Sequence, residues 1–229
     1  MTLRGTADER GSQWRRWDPH IHAPGTGLNN QFSADALDEY LTRIEAATPA
    51  LECVGITDYL STDCYEAVVV AKAAGRLFRT ALVFPNIEMR LSISTRKVKG
   101  INIHLLVSPD DPSHVPEINR FLGRLTFDTQ DDKYHCNRAD LIRLGRAHDN
   151  TLSNDDAAYS GGVNQFKVDF NQLRDEMRDS KWTRANCLVA VAGGTNDGTS
   201  GLQEDGSGFA LLRREIESFA DIIFSSSPK

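Results

Sequence analysis

Residues 51–84 read LECVGITDYLSTDCYEAVVVAKAAGRLFRTALVF, and this stretch decides the fold class. Residues 51–57 are a short apolar run with β-branched Val54, Ile56 and Thr57, the composition of a buried strand. Thr62 or Asp63 then opens a helix, and Gly75 closes it because glycine accepts the left-handed backbone found at helix C-termini. Residues 80–84 form a second strand, which Pro85 breaks. Short apolar strands alternating with helices point to an α/β fold with a largely parallel sheet. An open sheet and a closed or distorted barrel both fit, and in either the active site forms at the carboxyl ends of the strands.

The pattern continues on both sides. Residues 17–21 read as a strand running into a Pro24-Gly25 loop, and Ser33 can cap a helix to about Ala47. In that helix Leu37, Leu41 and Ile44 share one face, and Pro49 stops it. Beyond the central stretch, apolar runs at 87–93 and 101–107 flank the polar, basic segment 94–100, which signals a hairpin or two strands with a loop. Helices are expected at 113–125 and 137–147, joined by a charged loop, and again from Asp169 to about Asp179. Residues 148–163, rich in Asn, Asp, Ser and Gly, read as a mobile connection. A strand at 187–192 enters the glycine-rich loop 193–208, residues 209–220 are amphipathic, and 221–224 read as a last strand. The whole of 1–229 is expected to be one domain, with 126–185 as an insertion-like segment.

Composition narrows the function classes. The chain has 229 residues, 40% hydrophobic and 25% charged, with a net charge of −6. That charge gives no support for binding nucleic acid over the whole surface, although a local basic groove remains compatible with it. No apolar run approaches the roughly 20 residues that span a bilayer. Residues 1–10 are polar and lack the apolar core of a signal peptide, so the chain reads as cytoplasmic. The four cysteines show no CxxC pair, and Cys53 and Cys187 lie in strand-like runs as small hydrophobes. There is no GxSxG, no dinucleotide fingerprint and no Gly-Lys-Ser/Thr, so the chain is not itself an NTPase.

The chemistry sits in strands. In Asp18-Pro19-His20-Ile21-His22 the alternation of a strand puts Asp18, His20 and His22 on one face, where two imidazoles can aim at one cation. A pair of structural histidines is the plainer alternative. Asp58 follows the strand ending Gly55-Ile56-Thr57, where an acid can serve as a helix cap or a site residue. Glu88 stands among apolar Ile87, Met89 and Leu91, and His104 between Ile103 and Leu105. Buried charge and polar rings are costly there without a partner; an outward, solvated Glu88 is the alternative. Together these N and O donors suit manganese, zinc or iron. Asp197, in the glycine-rich loop, is a further candidate against a turn residue. Arg90 and the 96–99 loop (Arg96, Lys97, Lys99), with Arg15 and Arg16, could bring positive charge to the site. His114, His135 and His148 read as surface residues.

These motifs resemble the polymerase-and-histidinol-phosphatase (PHP) superfamily: WDPHIHAPGT its first motif, VGITDY its second, FPNIEMRL its glutamate strand and INIHLLV its next histidine strand. RGSQWRRWD, GVNQFKVDF, VAVAGGTNDGTSGL and ADIIFSSSPK are similar to the branch in which such a domain precedes an SMC-like or AAA-like ATPase (TrlF-like proteins). The resemblance implies a distorted (β/α)7 TIM-like barrel that is incomplete at its C-terminus, with the expectation that the chain is the N-terminal part of a longer protein and, as the alternative, that a partner completes the barrel. It implies a phosphoesterase with two divalent ions (Mn, Zn or Fe), in which His20 and His22 bind one ion, Glu88 bridges both, and His104 binds the second. Asp58 would be a ligand or support a ligand, and Asp58, Glu88, Arg90 and Asp197 would make up the catalytic set. The expected substrate is a nucleic-acid phosphodiester, with the ATPase region in the same chain or complex, in DNA repair or anti-phage defence. A small phosphomonoester, or a non-catalytic docking module for the ATPase, are the alternatives. The chain departs from the family pattern at Tyr59, where a histidine is usual, at Leu28-Asn29-Asn30 and at Ala192-Gly193-Gly194, which speaks against a third ion.

Overall fold

The computed structural model describes residues 14–33, 36–94, 100–129, 131–193, 199, 202 and 207–224. In chain order the elements are β1 (Trp17–His22), α1 (Leu37–Glu45), β2 (Cys53–Tyr59), α2 (Asp63–Ala73), β3 (Leu82–Ser94), β4 (Gly100–Val107), α3 (His114–Leu122), β5 (Thr126–Asp128), β6 (Lys133–His135), α4 (Arg138–His148), α5 (Asp155–Gln165), α6 (Phe170–Asp179), α7 (Lys181–Asn186), β7 (Cys187–Ala192), α8 (Ser207–Phe219) and β8 (Ile222–Phe224).

Six strands form one sheet in the order β1-β2-β3-β4-β7-β8. β1, β2 and β3 pair in parallel, as do β7 and β8, while β4 runs against both β3 and β7. The fold is mixed α/β, and the single reversed strand is the return arm of the β3–β4 hairpin. The sheet curls hard. His20 on β1 and Phe224 on β8, at opposite ends of the strand order, have ring centroids 6.0 Å apart. In a flat sheet, strands spaced by about 4.8 Å would hold those positions roughly 24 Å apart. The two edges therefore bend toward each other as in a barrel wall.

Side-chain alternation divides the sheet into two faces. Ile87, Met89 and Leu91 on β3, with Ile101, Ile103, Leu105 and Val107 on β4, pack outward in a core with Ile118, Phe121 and Leu122 of α3 and Leu173 of α6. A second core places Tyr40, Leu41 and Ile44 of α1 and Val68 of α2 against Val54 and Ile56 of β2. The other parity, Asn86, Glu88 and Arg90 on β3 and Asn102, His104 and Leu106 on β4, is left for the concave face. The four cysteines are free and buried, Cys53 and Cys187 within strands.

Several elements differ from expectation. Pro85 lies inside a continuous β3 instead of ending a strand. It falls just before the first β3–β4 register pair, Asn86↔Leu106, so the strand has one lateral neighbour there and the absent N–H can be spared. Residues 148–163 are not simply a connection, because most of them belong to α5. Asn154 caps this helix by accepting from the Asp156 and Ala157 amides at 2.7 and 3.3 Å. Its glycines serve a helix crossing: a Cβ on Gly162 would sit 1.8 Å from the Leu141 carbonyl of α4, and one on Gly145 1.9 Å from Ala158 of α5. The charged loop after α3 contains the β5–β6 hairpin, and α7 is an additional short helix.

Candidate metal centre

The donors come from β1, β3 and β4, with β2 between the first two. The β1–β2 register shifts between Asp18 and Ile21, an irregularity of the kind that re-aims side chains. At this point β1 lies so close to β2 that a Cβ on Gly55 would meet the Pro19 carbonyl at 2.2 Å, so only glycine fits. The rings of His20 and His22 reach the concave face. Glu88 lies directly opposite His104 on β4 and opposite Tyr59 on β2.

Glu88 is the centre of the arrangement and is only 2% exposed. Its Oε1 accepts from the Tyr59 hydroxyl at 2.8 Å and from Asn102 Nδ2 at 2.5 Å. Its Oε2 is buried without a hydrogen bond, yet His20 Nε2 lies 3.5 Å and His22 Nε2 3.3 Å from it. Burial works against ionisation of this carboxyl. The imidazoles of His20 and His22, and His104 nearby, outweigh it and hold the group well below the usual carboxylate range. Tyr59 moves the other way: burial, then the Glu88 charge, raise its phenol, so the hydroxyl stays a donor.

Asn86 orients His104. Its Nδ2 donates to the Pro19 carbonyl at 2.8 Å, which fixes Oδ1 as the atom facing His104 Nδ1 at 3.1 Å. His104 Nδ1 is therefore the donor of that bond, the backing that a metal-ligating histidine has behind its other ring nitrogen. His20, Glu88 and His104 each offer a ligand atom, and these lie within 4.8 Å of one another. The His20 side chain is 36% exposed, so the group opens to solvent on one side. Two imidazoles, one carboxylate and an orphaned buried oxygen between the rings fit a divalent cation.

Asp58 lies outside this group. Its Oδ1 accepts from Thr26 Oγ1 and the Tyr59 amide, both at 2.8 Å, and from the Gly27 amide at 3.4 Å. Its Oδ2 accepts from the Cys64 amide at 3.4 Å. The carboxylate ties the loop after β1 to the start of α2, and its burial raises its pKa. Arg90 bonds Asn164 Oδ1 at 3.3 Å, with its guanidinium 5.9 Å from the Tyr59 ring centre. Lys167 lines a separate pocket with Ser92, Asp128 and Asp169; burial, then the Arg90 charge, lower its pKa to about 8. Arg15 pairs with Glu52, and Arg16 donates to the Pro49 carbonyl. Asp197, Arg96, Lys97 and Lys99 lie outside the described residues. His135 and His148 are exposed, whereas His114 is half-buried between Tyr65 Oη at 2.9 Å and the Asp111 carbonyl at 2.6 Å.

Sequence reasoning missed Asn86, Asn102 and Asn29, which donates to Tyr59 Oη at 3.0 Å. It noted Tyr59 only as a departure from a pattern. The signal for two of them was present: Asn86 shares strand parity with Glu88, and Asn102 with His104. A cavity of about 720 Å³ adjoins the centre, with His20, Asn86 and His104 on one wall and Phe84, Leu106 and Leu188 among its apolar lining. Among the described residues, Arg184 is the one lysine or arginine lining it, and Asp18 and Asp110 are the acids.

No family model and no curated protein matches the chain. Among solved structures it is similar to a Bifidobacterium adolescentis protein provisionally described as a metal-dependent phosphoesterase, at 13% identity and TM-score 0.41, over 91% of this chain and 76% of that one. It is also similar to an amidohydrolase from Chromobacterium violaceum with bound sulfate and no metal, at 13% identity and TM-score 0.38, over 78% of this chain and 68% of that one. Likeness of this degree does not fix chemistry. No helix of the described residues is long and apolar enough to cross a membrane.

Proposed function

We propose that the chain is a divalent-metal-dependent hydrolase of phosphate esters, with the cation held by His20, Glu88 and His104 and with His22 beside them. The observation that carries this reading is Oε2 of Glu88, buried, without a hydrogen bond, and flanked by two imidazole nitrogens. The two imidazoles compensate this oxygen by charge at 3.3–3.5 Å and not by a formed hydrogen bond, and a cation would take up its free lone pairs. A bound divalent ion would supply Lewis acidity toward a phosphoryl oxygen.

The chain's own groups have separate tasks in this reading. Tyr59 and Asn102 hold Oε1 and so fix the direction of Oε2. Asn86 backs His104 at Nδ1. Arg90, its guanidinium over the Tyr59 ring, supplies positive charge beside the centre for an anionic ester, and Asp58 holds the loop after β1 in place. The phosphate ester, as opposed to another hydrolysable group, is supported by the motif resemblance and by Arg90.

A nucleic-acid phosphodiester, a coupled ATPase region and a cytoplasmic setting are supported by the resemblance alone. A small phosphomonoester is favoured by a specific observation: among the described residues the adjoining cavity is largely apolar and carries two acids against one arginine, a poor path for a polyanion. The test is manganese-dependent turnover of bis(p-nitrophenyl) phosphate, p-nitrophenyl phosphate and single-stranded and duplex DNA, by the wild type and by His20→Ala and His104→Ala. Turnover abolished in both variants supports the reading. Turnover surviving in both removes it, and bound metal without any turnover favours a docking module.

A further inference from the structure

We infer that this centre holds one divalent ion and not the two that the motif resemblance implies. The inference rests on the metal-centre reading above and concerns how many ions these residues can serve.

A carboxylate that bridges two ions commonly gives one oxygen to each. Each carboxylate oxygen has about two acceptor positions. Oε1 of Glu88 already accepts from two side chains, the Tyr59 hydroxyl at 2.8 Å and the Asn102 amide at 2.5 Å. Tyr59 is itself held by Asn29 at 3.0 Å, so the first donor cannot swing away without breaking a second bond. An ion at Oε1 would displace both donors and strand them in buried surroundings. Oε2 is the opposite case, with no hydrogen bond and with His20 and His22 Nε2 at 3.5 and 3.3 Å. The carboxylate therefore presents one oxygen to metal.

The supply of ligands agrees. Among the described residues, one group of three metal-ligating side chains comes within mutual reach, namely His20, Glu88 and His104. His22 is set against the same oxygen instead of a second carboxylate. Asp58, the other buried acid of the expected set, accepts from Thr26, Gly27, Tyr59 and Cys64 and supplies no second pole. Three protein ligands with one open side is the pattern of a single catalytic ion. Among the described residues, two dications about 3.5–4 Å apart would share one ligating carboxylate, leaving a large uncompensated charge in partly buried space.

The experiment is a titration of the metal-stripped full chain with manganese, followed by calorimetry and by electron paramagnetic resonance. One equivalent bound, with an isolated six-line manganese spectrum and no spin-coupled signal at several equivalents, is the expected result. Two equivalents with a coupled-pair spectrum overturn the one-ion inference and leave the metal-centre reading standing. No binding at any concentration removes both.

Discussion

Tyr59 and Glu88 face each other across the β2–β3 register, and the phenol donates to Oε1 at 2.8 Å. The same ring stacks on His22, with centroids 5.5 Å apart, so one side chain braces both a carboxylate and an imidazole of the centre. Tyr59→Phe keeps the stack and removes the donor. It leaves the Asn29 amide without its acceptor and Oε1 with a single bond. We expect a loss of about 1–3 kcal/mol in urea denaturation of the metal-free protein. A loss within error of zero would show that the hydroxyl does not hold the carboxylate.

Asn86 touches no ligand position itself and acts through His104. Asn86→Ala should lower manganese affinity about 10–100-fold, the usual effect of removing the group behind a ligating histidine. Asn86→Asp keeps the acceptor toward Nδ1 and should recover most of that affinity. Equal affinities for wild type and Asn86→Ala, measured by calorimetry, would contradict the orienting role.

Gly145 and Gly162 let α4 and α5 cross with backbone against backbone. Gly162→Ala puts a methyl 1.8 Å from the Leu141 carbonyl, so the helices must separate. Overpacking of this kind costs about 1–3 kcal/mol, occasionally more. Differential scanning calorimetry should show a clear fall in Tm for Gly162→Ala. An unchanged Tm would mean that the two helices are not packed as described.

Lys167 gives a pH dependence with a definite sign. Its folded pKa is about 8, below the ordinary lysine value of 10.5, because burial and then Arg90 disfavour the ammonium. Below about pH 8 both folded and unfolded chains carry the charge, and the folded state bears the full penalty. Between 8 and 10.5 the unfolded chain holds more protons, so the penalty is relieved as pH rises. Lys167→Met should therefore be more stable than wild type at pH 7, with the gap narrowing between pH 8 and 10. A gap that is constant or widens over that range would contradict the burial of Lys167.

Much of the fold was legible because the strands are short, apolar and separated by capped helices. Residues 87–93 and 101–107 carried the hairpin signal, and their alternation placed Glu88 and His104 on the face away from the apolar residues. What escaped had physical reasons. The α5 segment reads as a loop because its glycines answer to a helix crossing, which local sequence does not record. Pro85 looked like a strand end because its neighbour strands are set by tertiary pairing. Asp58 sits where a ligand or a cap would sit, and the choice depends on Thr26 and Gly27, some thirty residues earlier in the chain. Tyr59 and Asn102 became visible as holders of Glu88 only when their strands were set side by side.

The most direct measurement is anomalous diffraction from crystals soaked in manganese. The account predicts a peak within coordination distance of Glu88 Oε2 and of ring nitrogens of His20 and His104. An empty site at those three residues under saturating metal, or a peak at Asp58 in their place, would contradict it.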